Sequence, residues 1–219
     1  MKTENVLLMK SARESLKGEW GLAVGGSAVF VVVSMAVSMI PILGSFASII
    51  IAGPLTLGVT IFFLNLSRKQ EVKLEYVFKG FNRFATALAT YLLIALYVIL
   101  WALLFIIPGI IAAYSYSMTY YILVDNSSIG AQEAIRRSKK MMAGNKMELL
   151  FLQVRFIGWA FLCLLTLGIG FLWLVPYVRV STAKFYDDIK RDQNPEETTT
   201  PASTSSVEAD LKNVLESEK

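Results

Sequence analysis

From Trp20 to Ser67 the chain runs 48 residues without an Asp, Glu, Lys or Arg. Two further charge-free runs follow, 41 residues from Phe84 to Val124 and 23 from Phe156 to Val178. A hydrocarbon core about 30 Å thick takes about 20 helical residues per crossing. The first two runs are each long enough for a helical hairpin. The third is short for two crossings unless its ends extend past Arg155 and Arg179. Only 17% of residues are charged and the mean hydropathy is +0.54, whereas a water-facing surface needs more charge than this. The expectation is an all-α membrane protein with six transmembrane helices in three hairpins.

The charges between the runs set the layout. Residues 2–20 read as an interfacial amphipathic helix, with Val6, Met9, Ala12/Arg13 and Leu16 on one side and Lys10, Glu14 and Lys17 on others. The first twenty residues carry seven charges and no apolar core, so no cleavable leader is expected. Crossings are expected over about 21–40 and 46–66, turning at Pro41 and Gly44, with Pro54 inside the second. Residues 67–83 read as a second interfacial helix, its apolar face made of Leu74, Val77, Phe78 and Phe81. Crossings three and four run over about 84–105 and 108–124, around the Pro108-Gly109 turn. Residues 127–147 read as a third interfacial helix. Ser128 is its expected N-cap, and Ala131, Ile135, Ser138 and Met142 form its apolar face. Crossings five and six run over about 149–167 and 171–183, around Gly168-Ile169-Gly170.

Three times a surface helix, a glycine and an apolar hairpin succeed one another, with Gly18, Gly80 and Gly144 in matching places. Each glycine is a candidate break where a helix leaves the interface. If each charge-free run is a hairpin, every basic segment falls on one side. That side is cytoplasmic by the positive-inside rule, and both termini with it. Residues 1–191 carry 19 basic and 10 acidic residues, net +9, and form the membrane domain. Residues 192–219 carry 2 and 7, net −5, and read as an acidic, mostly disordered cytoplasmic tail. Ser205 and Glu208 have capping-box spacing for a short terminal helix.

The chemistry available is narrow. There is no histidine, and the one cysteine, Cys163, excludes an intrachain disulfide. No phosphate-binding loop or hydrolase motif occurs, so neither an enzyme, a cofactor, a metal nor a nucleic-acid partner is expected. Tyr114, Ser117 and Tyr121 share one face of the fourth crossing, with Ser115 and Thr119 beside it. They are candidates to line a cavity, against a plainer role in interhelical hydrogen bonding. Arg155 and Arg179 are the ionisable residues just inside the third hairpin. They are candidate contacts for anionic lipid, against simple snorkelling to the interface. Arg136, Arg137, Lys139, Lys140 and Lys146 are candidates for the same lipid contact, with topology determination needing the same charges. Asp187-Asp188 reads as a solvated helix end.

The segments LWALLFIIPGIIAAYSYSMTYYILVDN (100–126), EAIRRSKKMMAGNKMELLFL (133–152), FIGW, TLGIGFLWLVPY and FYDDI resemble the DUF975 family of bacterial integral membrane proteins. The resemblance covers roughly residues 5–190. It implies a bacterial cytoplasmic-membrane protein and no established activity. The layout is also similar to the membrane domain attached to some glycerophosphodiester phosphodiesterases, whose catalytic barrel is missing here. Arg155 departs from the pattern, standing where a small or apolar residue is expected. The function expected is non-enzymatic binding of membrane lipid or a small solute within the bundle, permease-like or accessory to the envelope. The alternative is a scaffold or regulatory subunit that recruits a cytoplasmic protein through residues 192–219.

Overall fold

The computed structural model describes residues 5–38, 43–166, 168 and 170–193. Among these, all regular structure is helical. The order is α1 (Asn5–Leu16), α2 (Trp20–Ser38), α3 (Leu43–Ser67), a 3-10 helix (Leu74–Arg83), α4 (Phe84–Leu104), α5 (Ile106–Tyr116), α6 (Thr119–Asp125), α7 (Ala131–Met141), α8 (Lys146–Leu165) and α9 (Phe171–Gln193). Four stretches are long and apolar enough to cross a membrane: Ala47–Ser67, Leu74–Leu104, Ile106–Asp125 and Lys146–Leu165. A fifth is added if α1 and α2, bent by 97° at their junction, form one span. The expected sixth crossing is not among them. Its apolar part, residues 171–183, is only about 20 Å long at 1.5 Å per residue, and α9 continues into Lys184, Asp187, Asp188, Lys190 and Arg191. The acidic tail, its proposed helix and part of the first turn lie outside the described residues.

Helix α3 is the hub of the packing and touches α2, α4, α6, α9 and the 3-10 helix. Small residues bring it close. A Cβ on Gly53 would meet the Ala87 carbonyl of α4 at 2.6 Å. Cβ atoms on Gly58 and Gly80 would collide with the backbone of Val77 and Pro54 respectively, so α3 and the 3-10 helix meet backbone to backbone. The segment 67–83 thus differs from the expected amphipathic α-helix. It begins at Leu74, and its buried residues, Val77 and Gly80, are three apart, the 3-10 period. Leu74 and Phe78 stay exposed.

The repeated glycines split into two kinds. Gly18 and Gly144 have φ of +92° and +83°, left-handed breaks that let α1 and α7 end. Gly80 instead provides the close approach to α3. Helix α7 starts at Ala131 after Gly130, with no side-chain cap, so the expected cap at Ser128 is not used. Its expected apolar face, Ala131, Ile135, Ser138 and Met142, is buried as read.

The Pro108-Gly109 turn is tight. Phe105 is extended between α4 and α5, and Pro108 sits in the first turn of α5, where its missing N–H is harmless. The fourth crossing is broken in its middle, between Tyr116 and Thr119. Ser115, Ser117 and Thr119 donate their hydroxyls to the carbonyls of Ile111, Tyr114 and Tyr116, competing with the amide ladder. Large apolar side chains stand exposed at the α4–α5 turn and near the α8–α9 turn, with Leu103, Ile106 and Leu165 the most open. In hydrocarbon such a surface needs no partner, whereas in water it would drive aggregation.

Candidate functional site

Helices α3, α6 and α9 end together, and their last turns hold opposite charges. Helix α3 closes in a Schellman motif: Gln70 N–H donates to the Asn65 carbonyl and Lys69 N–H to that of Leu66, both at 3.1 Å. Lys69 takes the left-handed position, with φ of 57°. This geometry aims Arg68 across the bundle. Its guanidinium grips Asp125 with two bonds of 2.8 and 3.0 Å and reaches Asp187 at 2.7 Å. Asp125 also accepts from Lys190 Nζ at 2.8 Å and from Tyr186 Oη at 3.0 Å. Two cations face two carboxylates, so the cluster is neutral. The side chains of Asp125 and Asp187 are only 7% and 14% exposed. Burial alone would lower the Arg68 pKa, but the bonds from Asp125 and Asp187 outweigh it and hold the guanidinium firmly charged. Burial, then the Asp125 charge and hydrogen bond, push the Tyr186 phenol up, so it stays a donor. Asp187 is therefore not the solvated residue its local sequence suggests, because Arg68, 119 positions away in the chain, takes it out of water. Nearby, Arg83 donates to the Leu123 carbonyl at 2.7 Å and caps the end of α6.

A recess of about 550 Å³ opens over this cluster, between α6, α7 and α9. Its polar lining is Asn126, Arg137, Lys140, Tyr186, Lys190 and Gln193. Tyr186 and Lys190 thus belong to both the cluster and the recess. Arg137 shares Glu133 with Arg136, each pair at 2.7 Å. Those two hydrogen bonds pull the Glu133 carboxyl down to about 2. Lys140 makes no ion pair among the described residues. Three cations and several hydrogen-bond donors converge here, an arrangement suited to a phosphate or other anion.

The structure separates the other sequence candidates. Arg136 and Lys139 are exposed on α7, and Lys146 is half-buried at the start of α8. Arg155 is exposed on α8, and Arg179 is half-buried on α9. Neither arginine lines the recess. The hydroxyl face of the fourth crossing is occupied by internal contacts. Tyr114 donates to Gln153 of α8 at 2.7 Å, and Tyr121 stacks on Tyr186 at 5.3 Å between centroids. Ser115 and Thr119 are buried. Ser138 of α7 closes the break, accepting from Met118 N–H and donating to the Ser115 carbonyl. Sequence reasoning did not find the Arg68–Asp125 pairing, although a signal existed: Arg68 and Asp125 are the residues that end the two long charge-free runs.

The family described as protein of unknown function (DUF975) matches residues 1–115 and 103–193. The chain belongs to the DUF975 family. The two matches together take in every helix of this DUF975 protein, including all the residues of the cluster and the recess. No curated protein and no solved structure matches it.

Proposed function

We propose that this DUF975 protein is a non-enzymatic, multi-pass protein of the bacterial cytoplasmic membrane that holds an anionic head group in the recess over the Arg68 cluster. The head group is a phosphate carried by a membrane lipid or a small solute. In this reading α2, α3, α4, α5–α6 and α8 cross the membrane, and α9, too short in its apolar part to span alone, returns the chain to the charged side by carrying its polar half into the interface. The charged helix ends and both termini then face the cytoplasm, by the positive-inside rule. The observation that carries the reading is the convergence of Arg137, Lys140 and Lys190 on one cavity beside a neutral, buried cluster. The cluster fixes Lys190 and Tyr186 in place before any ligand arrives, which lowers the ordering cost of binding.

The test is native mass spectrometry of the full chain in mild detergent, with phosphatidylglycerol and phosphatidylcholine offered in equal amounts. The unmodified protein is expected to retain phosphatidylglycerol. Each basic residue near the surface is worth about 1 kcal/mol, so Arg137→Gln with Lys140→Gln should weaken retention roughly 30-fold. Soluble glycerol phosphate as competitor separates a solute site from a lipid site. Equal retention of both lipids, unaltered by the double substitution, would sink the proposal.

A further inference from the structure

A second cavity lies away from the recess, where α1 crosses the α8–α9 hairpin. It measures about 400 Å³ and is lined mostly by apolar atoms. Trp20, Trp159 and Trp173 all face it, three of the four tryptophans in the chain. Arg13 is the one charged residue in its lining, and Arg13 makes no ion pair among the described residues. The placement of Arg13 is built rather than incidental. Tyr177 Oη donates to the Met9 carbonyl at 3.2 Å, which pins α1 across α9. Arg13 lies one helical turn beyond Met9, on the same face. Phe156 meets the Tyr177 ring edge-on at 5.3 Å and fixes it from the α8 side. At the other end Gly170 permits α9 to close on α8, since a Cβ there would meet Cys163 Sγ at 2.6 Å. The result is an open, mostly apolar groove with three indoles and one guanidinium in its lining.

An aromatic belt spreads tryptophans around a membrane protein's perimeter. Here three indoles converge on one groove, while Trp101 stands apart on α4. We propose that this groove binds a single anionic phospholipid, with its phosphate on Arg13 and an acyl chain between Trp159 and Trp173. The proposal rests on the membrane reading above but not on the recess. Charge selects the occupant: an apolar wall accepts any acyl chain, whereas one unpaired guanidinium favours a head group of net negative charge. On α8, Arg155 is one turn before Trp159, which is one turn before Cys163, so Arg155 extends the same stripe toward the helix's charged end.

The test reads the indoles directly. Full-length protein carrying Trp101→Phe keeps only the three groove tryptophans and is reconstituted in phosphatidylcholine bilayers. Phosphatidylglycerol or phosphatidylcholine, brominated on the acyl chain, is then added at equal mole fraction, and quenching of tryptophan fluorescence is recorded. Brominated phosphatidylglycerol should quench at about fivefold lower mole fraction, the preference one near-surface charge supplies. Arg13→Gln should abolish that preference, Arg13→Lys should keep most of it, and Arg137→Gln with Lys140→Gln should leave it intact. Equal quenching by the two lipids, or a preference that survives Arg13→Gln, overturns the proposal. If glycerol phosphate removes the preference, the site takes a soluble phosphate and the lipid assignment falls. Should Arg13→Gln fail to fold, competition in the Arg13 protein decides. Unlabelled phosphatidylglycerol must relieve the quenching more than phosphatidylcholine does, and equal relief is again fatal.

Discussion

A buried polar group inside an apolar bundle has few substitute partners, so leaving it unpaired is costly. Ser138 illustrates this. Its hydroxyl accepts from Met118 N–H at 3.2 Å and donates to the Ser115 carbonyl at 2.9 Å, so one side chain satisfies both sides of the α5–α6 break. Ser138→Ala leaves a buried donor and acceptor unpaired and should cost about 1–3 kcal/mol, seen as a lower thermal midpoint by circular dichroism in detergent. An unchanged midpoint would mean that the break is satisfied in another way. Periodicity put Ser138 on the buried face of α7 beside Ala131, Ile135 and Met142. It did not supply the partner, because the break opposite was invisible: a Tyr- and Ser-rich stretch reads as continuous helix until its hydroxyls are seen to take the carbonyls. The local pattern misplaces Asp187 for a related reason. Local pattern describes the helix it sits on and says nothing of Arg68 arriving from α3.

At the scale of elements, the apolar helices were legible and the connector was not. The sequence places the third crossing at about 84–105, and α4 spans Phe84–Leu104. Charge-free length fixes such a helix almost alone. The segment before it reads with a 3.6-residue period on Leu74, Val77, Phe78 and Phe81. It folds instead as a 3-10 helix, because it must present its backbone at Gly80 to the backbone of α3 at Pro54 and Gly58. No apolar face is required for that contact; the absence of a side chain is. Gly80→Ala forces these backbones apart and should destabilise by about 3 kcal/mol, the upper part of the overpacking range. Substituting alanine at Gly158, inside α8, where a Cβ meets nothing within 4 Å, is the control and should not lower the thermal midpoint. Similar losses from both would show that the α3 contact is looser than described.

For the molecule as a whole, Arg68 is the point where α3, α6 and α9 are tied together. Arg68→Ala leaves buried Asp125 with Lys190 as its ion-pair partner and strips Asp187 of its guanidinium, and should cost about 3–5 kcal/mol of stability. Arg68→Lys should recover only part of this, since one ammonium cannot bond two carboxylates with the guanidinium's planar fork. Thermal midpoints of the two variants check the order; equal and small losses would make the cluster incidental. A second long-range tie has a consequence in time. The Tyr177–Met9 bond joins residues 168 positions apart, and α1 rests chiefly on α9. At about 5–20 residues per second, the ribosome needs roughly 8–34 s to make that interval. Helix α1 must wait that long for the partner it chiefly rests on, so this packing is completed only after the intervening residues have been made.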